Sequence, residues 1–412
     1  VSSRSAQQNF SDPGQSRLQA ELDVLLKKLH QTARLLVGAT THSDRAERDR
    51  LVATLERGGH AQPKASWRPV AIGRDMWTVL QRARALAPHS MAPSLYLRRL
   101  EELETELLVL ESLGEPKRVR PMVARLFGTG TEKAVDGDDR QVLDIAHEIL
   151  AETPVEEEPA TVPARAVAGL SLEALMLQFA KRAGLDVTVR VDSSLIASAA
   201  VGERTVFIAE RLFGEREAYR LAIHEVHGHL VSAFNGRAQR LGIFAIGTAG
   251  SYGTQEGLAI LLEERAGLLD GARRRTLAAR LLTTHAMHAG VSFGDAAREL
   301  VREHGFAPAQ AVGLCERAYR GGGVSRDAVY LTHWLRVKRR VELGLASLAE
   351  LQIGKVALED VQRLRELRDE GLLGPSVYGA TLARSFGTTA SGTRFEMSPP
   401  SRATSLTRFD AT

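Results

Sequence analysis

Arg220-Leu-Ala-Ile-His-Glu-Val-His-Gly-His-Leu-Val-Ser-Ala-Phe-Asn235 sets His224, His227 and His229 close together, with Glu225 directly after the first. The run reads as helix. On a regular α-helix His224 and His229, five positions apart, diverge by about 140°, too far for both to reach one ion. A one-residue bulge of the π type brings them back together, and such bulges often sit at functional sites. Gly228 lies where that distortion is cheapest, because it adds no β-carbon to crowd the turn. His224 and His227 share a face with no bulge at all. The run alone therefore leaves His224/His227 and His224/His229 both open.

Neutral imidazole is a good zinc ligand, and two of them leave room for a carboxylate and a water. In the zinc-protease motif H-E-x-x-H the two histidines lie one helical turn apart. Here the spacing is H-E-x-x-x-H, one residue longer. Glu225 follows the first candidate ligand, so it projects beside the metal, placed to take a proton from a water that the metal activates. A zincin needs a third ligand. Glu256, in Thr254-Gln-Glu-Gly-Leu-Ala-Ile-Leu-Leu-Glu-Glu264, opens an apolar helical run from which it can face back across the site. Glu263 and Glu264 are alternatives, with solvated surface charge the plainer reading of both. His285 and His288 repeat an i,i+3 spacing and read as a satisfied or exposed pair.

Outward from this centre, Val187, Val189 and Val191 alternate with polar residues, the period of a half-buried strand. Thr205-Val-Phe-Ile-Ala follows a turn at Gly202-Glu203 as a second strand. A helix is expected over 171–184, and helices dominate from about 216 to about 369. Upstream, Leu18, Leu22, Leu25, Leu26 and Leu29 fall on one helical face, and 43–57, 74–87 and 94–113 read as further helices. The last of these carries a stripe of Leu100, Leu103, Leu107 and Leu110, with Gly114 as its stop. Residues 151–163 are acidic and Pro-rich without periodicity, the signature of a linker. The expected class is α+β and mostly helical: a zincin-like metallopeptidase with a small β-sheet beside the active-site helix and an N-terminal helical region. Its expected divisions are a flexible arm at 1–15, the helical region at 16–150, the linker at 151–163, the catalytic domain at 164–384 and a flexible tail at 385–412.

Composition narrows the function. The chain has 412 residues, 54 basic against 50 acidic, for a formal net charge of +4. Arg273-Arg-Arg and Lys338-Arg-Arg are short runs in helical contexts, so no nucleic-acid partner is expected. No apolar run approaches the roughly 20 residues of a membrane span, and no membrane partner is expected. Cys315 is the single cysteine, which excludes an intrachain disulfide framework and fits a reducing, cytoplasmic setting.

The chain resembles the tyrosine carboxypeptidase family, which includes the microtubule-associated tyrosine carboxypeptidases. The residues that carry the resemblance are His224-Glu225 with His229, Gln255-Glu256-Gly257-Leu258-Ala259, Tyr319-Arg320-Gly321-Gly322, and Arg326-Asp-Ala-Val-Tyr330-Leu. A weaker echo is Met122-Val-Ala-Arg-Leu-Phe-Gly128. The likeness is clear over about 165–345 and fades before about 60 and after about 370. It implies His224, His229 and Glu256 as ligands of one zinc per chain and Glu225 as the catalytic base. Histidine at 227, where small residues are expected, is a departure.

The expected activity is metal-assisted peptide hydrolysis, with a peptide or protein as the partner. A carboxypeptidase must also hold a free carboxylate, which the arginine fork suits. Arg320, set among glycines, is the first candidate and Arg317 the second. Tyr330 is a candidate donor to the developing oxyanion. Two other readings are a zinc endopeptidase trimming a specific precursor and a non-enzymatic regulator with a structural metal. Glu225 argues against the last, since a purely structural site has no use for a base beside the metal.

Overall fold

The computed structural model describes residues 13–39, 45–64, 66–135, 139–154, 159–193, 195 and 197–379. The expected C-terminal tail and most of the N-terminal arm lie outside them. Helix α1, Pro13–Thr32, begins inside the stretch expected to be an arm. It buries Leu22, Leu26 and Leu29, three of the leucines that the sequence placed on one face. Helices α2 (Arg45–Glu56), α3 (Arg74–Leu86) and α4 (Pro93–Leu110) follow. The expected 94–113 helix gives way to a turn after Leu110, and Gly114 then takes a positive φ of 85°. A Cβ there would meet the Trp67 carbonyl oxygen at 2.6 Å. Helices α5 (Pro116–Phe127) and α6 (Val142–Glu152) complete the N-terminal region.

The leucine stripes of α1, α3 and α4 do not close a core among themselves. They pack with Leu241, Ile243 and Phe244 and with Ile353, Val356 and Leu364 from far along the chain. Each such buried side chain contributes about 1.5–3 kcal/mol. A polar tie reinforces the seam, because Asp23 on α1 accepts both the Tyr96 hydroxyl and the Gly242 N–H. Farther along, Val142, Ala146 and Leu150 of α6 join the core that also holds Val226, Leu230 and Leu258. Arg275 donates to the carbonyls of Leu150 and Thr153 at 2.7 and 2.8 Å. The two sides of the 151–163 segment thus share their cores.

Beyond that segment come β1 (Val162–Pro163), α7 (Leu172–Arg182), β2 (Thr188–Asp192), β3 (Ala199–Val201), β4 (Thr205–Ala209) and β5 (Leu212–Phe213). Strand β4 is central, parallel to β2 and antiparallel to β3, while β1 and β5 form a separate antiparallel pair. Val206 and Ile208 of β4 point into the core, in keeping with the period of two. The sequence reading anticipated β2 and β4; β3, three residues long, is an addition.

Helix α8 (Glu215–Ala222) leads into a π-helical segment, Ile223–Leu230, which continues as α9 (Val231–Ala238). Next are α10 (Ser251–Arg265), α11 (Gly271–His288), α12 (Phe293–Arg302), α13 (Pro308–Tyr319), α14 (Ala328–Glu342) and α15 (Val361–Asp369). Among the described residues no helix is long and apolar enough to cross a membrane.

Candidate metal centre

The helix carrying the histidines is widened through the whole of Ile223–Leu230. An i→i+5 hydrogen-bond pattern takes more than four residues per turn, which swings His229 back over His224. Their Nε2 atoms lie 3.2 Å apart. Glu256 Oε2 lies 3.3 Å from His224 Nε2 and 3.6 Å from His229 Nε2. Ligand bonds of about 2.0–2.2 Å in a tetrahedron place donor atoms about 3.3–3.6 Å apart, so the trio has the spacing that a zinc ion needs. Glu256 Oε2 is buried, and among the described residues the two imidazoles are the polar groups that face it, so a cation shared by all three would satisfy its charge.

Small residues bring α10 this close. A Cβ on Gly228 would stand 2.4 Å from the Ala259 Cβ, so the widened segment and α10 touch backbone to methyl. On the other side of α10, a Cβ on Gly257 would meet the His333 carbonyl oxygen of α14 at 2.4 Å. Gly228 therefore serves helix contact as well as the ease of bulging that the sequence suggested.

Glu263 corrects the surface-charge reading. It is fully buried, and its Oε1 lies 2.6 Å from His224 Nδ1. Arg273 donates to both of its oxygens at 3.0 Å, and Arg220 approaches to 3.7 Å. Burial alone would raise the Glu263 pKa, but Arg273, Arg220 and His224 together hold it far below the usual carboxylate range. A carboxylate on the far nitrogen of a ligating histidine fixes its tautomer and raises its basicity. Glu264 is not free surface charge either, since it accepts from Trp334 Nε1 at 3.0 Å and Lys338 Nζ at 2.6 Å. Burial alone would lower the His224 pKa, yet Glu256 and Glu263 outweigh it and raise it to about 9. The pocket favours positive charge at this imidazole.

His227 stands outside the trio. Its ring packs edge-on against Phe179 at 5.7 Å, its buried Nδ1 has no partner among the described residues, and burial lowers its pKa to about 3. Glu225 is buried and enters no hydrogen bond or ion pair among the described residues. His285 and His288 are half-buried, and His285 Nδ1 and His288 Nε2 have no hydrogen-bond partner among the described residues.

Arg317, the second candidate for a substrate carboxylate, is committed to Asp327 through two bonds of 2.7 Å. Arg320 donates Nε to the Val324 carbonyl at 3.3 Å and forms no ion pair among the described residues. Tyr330 meets Tyr252 hydroxyl to hydroxyl at 3.4 Å. Burial raises the Tyr330 pKa, and the negative charge of Glu256 adds to the effect. The sequence reading named Glu263 only as an alternative to Glu256 and Arg273 only as part of a basic run, and it missed Tyr252 and Arg280. For Glu263 a signal existed: it follows Glu256 by two helical turns and shares its face.

The architecture is that of a mostly helical α+β protein with a buried His/His/Glu cluster where a widened helix meets α10. The chain belongs to the microtubule-associated tyrosine carboxypeptidase family, whose model matches residues 56–397. The match takes in most of the N-terminal helical region along with the cluster. A search of curated proteins gives no match.

Proposed function

We propose that this chain is a zinc-dependent carboxypeptidase with a zincin-like centre, acting on the free C-terminus of a peptide or protein. The observation that carries the reading is the trio His224, His229 and Glu256 at tetrahedral spacing, with a buried Glu256 oxygen turned toward both imidazole Nε2 atoms. Membership of a family described as tyrosine carboxypeptidases supports peptide-bond cleavage at a C-terminus and a protein substrate. His224, His229 and Glu256 would hold one zinc per chain. Bound there, zinc supplies Lewis acidity for hydrolysis.

The chain's own residues carry the rest. Glu225 is next to a proposed ligand and, among the described residues, engaged by no donor, so its carboxylate is available to take the proton of the attacking water and return it to the leaving amine. Arg320 offers its terminal guanidinium nitrogens to the substrate's α-carboxylate in a bidentate fork. The Tyr330 hydroxyl, held neutral by burial, donates toward the oxygen on which negative charge develops.

Metal analysis of purified wild type and of His224→Ala, His229→Ala, Glu256→Ala and His227→Ala tests the centre. About one zinc per chain in wild type and His227→Ala, with loss in the other three, is the expected pattern. Zinc retained in His229→Ala and lost in His227→Ala would overturn the ligand set.

A further inference from the structure

Arg280 on α11 places its guanidinium carbon 4.9 Å from the centre of the Tyr330 ring. It makes no ion pair among the described residues, and its Nε is buried without a hydrogen-bond acceptor. Asp327, an acid near enough to raise its pKa, is taken up by the Arg317 fork. Arg280 is half-buried, and a guanidinium drawn away from water is normally neutralised by a carboxylate. Here the aromatic face is the contact that meets it, and burial lowers its pKa to about 10. Such an arrangement costs stability, which points to a use for the charge.

We infer that Arg280 is a positioning residue that acts through Tyr330, holding the ring in place and polarising its hydroxyl. A cation on the π face draws electron density from the phenol. The O–H becomes a stronger donor to an oxyanion without being ionised, and the benefit grows as negative charge builds in the transition state. The Tyr252 hydroxyl fixes the other end of Tyr330. Tyr252 has a cation of its own, Arg326, 4.7 Å over its ring. The inference rests on the proposed peptidase chemistry and assigns Arg280 no contact with substrate.

The test is a double-mutant cycle on the full chain with a peptide substrate. Arg280→Met in the wild-type background should lower kcat about tenfold with KM unchanged, the share of an oxyanion donor that a polarising cation can supply. Arg280→Lys should recover part of that loss. In a Tyr330→Phe background, which keeps the ring but not the hydroxyl, Arg280→Met should cost nothing further. A second readout avoids turnover: peptide binding to Glu225→Gln should be unchanged by Arg280→Met and weakened by Arg320→Ala. Additive losses from Arg280→Met and Tyr330→Phe would overturn the inference, as would an effect confined to KM and peptide binding, which would make Arg280 a substrate anchor. Should Arg280→Met fail to fold, Arg280→Gln in the same backgrounds decides the matter. Absence of peptide hydrolysis in wild type would instead sink the proposed function, a result distinct from any of these.

Discussion

Glu263 Oε1 lies 2.6 Å from His224 Nδ1, on the side of the imidazole opposite the Nε2 that faces Glu256 and His229. One histidine thus spans two carboxylates, and Arg273 fixes the outer one through both of its oxygens. The orientation of His224 is therefore set by charge from behind as well as by the helix that carries it.

Glu263→Gln tests this directly. The amide cannot match the carboxylate's hold on Nδ1–H or satisfy Arg273 and Arg220 together. Zinc affinity, measured by chelator competition, should fall roughly 10- to 100-fold, the usual effect of losing such an outer partner. Affinity equal to wild type in a folded variant would show that the contact does not tune His224.

Gly228→Ala should be destabilising out of proportion to one methyl group. The new Cβ would lie 2.4 Å from Ala259 Cβ and 3.0 Å from its Cα, so α10 must move away from the widened segment. Overpacking of this kind costs about 1–3 kcal/mol. It also pulls Glu256 away from the histidines. The double variant Gly228→Ala/Ala259→Gly returns the space and should recover both melting temperature and zinc content. No recovery in the pair would mean that Gly228 matters for the bulge itself.

Asp327 predicts a pH dependence of stability. Burial alone would raise its pKa, but Arg317, with Arg280 and Arg320 behind it, lowers it to about 2. A carboxyl depressed in the folded state contributes stability that is complete above its unfolded value near 3.9 and is lost as pH falls through about 2. The linked contribution is about 2 kcal/mol. Asp327→Asn should therefore be clearly less stable than wild type at neutral pH, with the gap narrowing between about pH 4 and pH 2. Denaturant unfolding at several pH values measures it, and a gap constant across that range would remove Asp327 from the balance.

The sequence made the site legible where its information is local. The extra residue between His224 and His229 forces either a widened helix or no shared ion, and the widened helix is there. Glu256 opens an apolar run, but Glu263 and Glu264 stayed open beside it, and it was the family resemblance that implied Glu256. What stayed hidden depends on partners from other elements. Glu263 reads as surface charge until Arg273 and His224 are brought to it, and three residues at Ala199–Val201 become a strand only by pairing with β4. The leucines of 94–113 announced a buried face, but nothing local told that Phe244 and Ile353 would cover it.

The last prediction separates catalysis from metal binding and exopeptidase from endopeptidase. Glutamine is nearly isosteric with glutamate but accepts no proton at neutral pH, and among the described residues Glu225 is engaged by no other side chain whose loss would confuse the result. Glu225→Gln should keep fold and zinc while hydrolysis drops by a factor of about 10² or more. Arg320→Ala should act differently, since among the described residues Arg320 spends only Nε on the Val324 carbonyl. It removes a carboxylate anchor, so its effect should fall on KM for peptides with a free C-terminus. Wild type itself should cleave C-terminally amidated peptides poorly, because the amide offers no charge to the guanidinium fork. Mass spectrometry of matched free and amidated peptides reads all three variables in one assay. Equal cleavage of the two forms by wild type would replace the carboxypeptidase with a zinc endopeptidase. Full activity in Glu225→Gln would take Glu225 out of the mechanism.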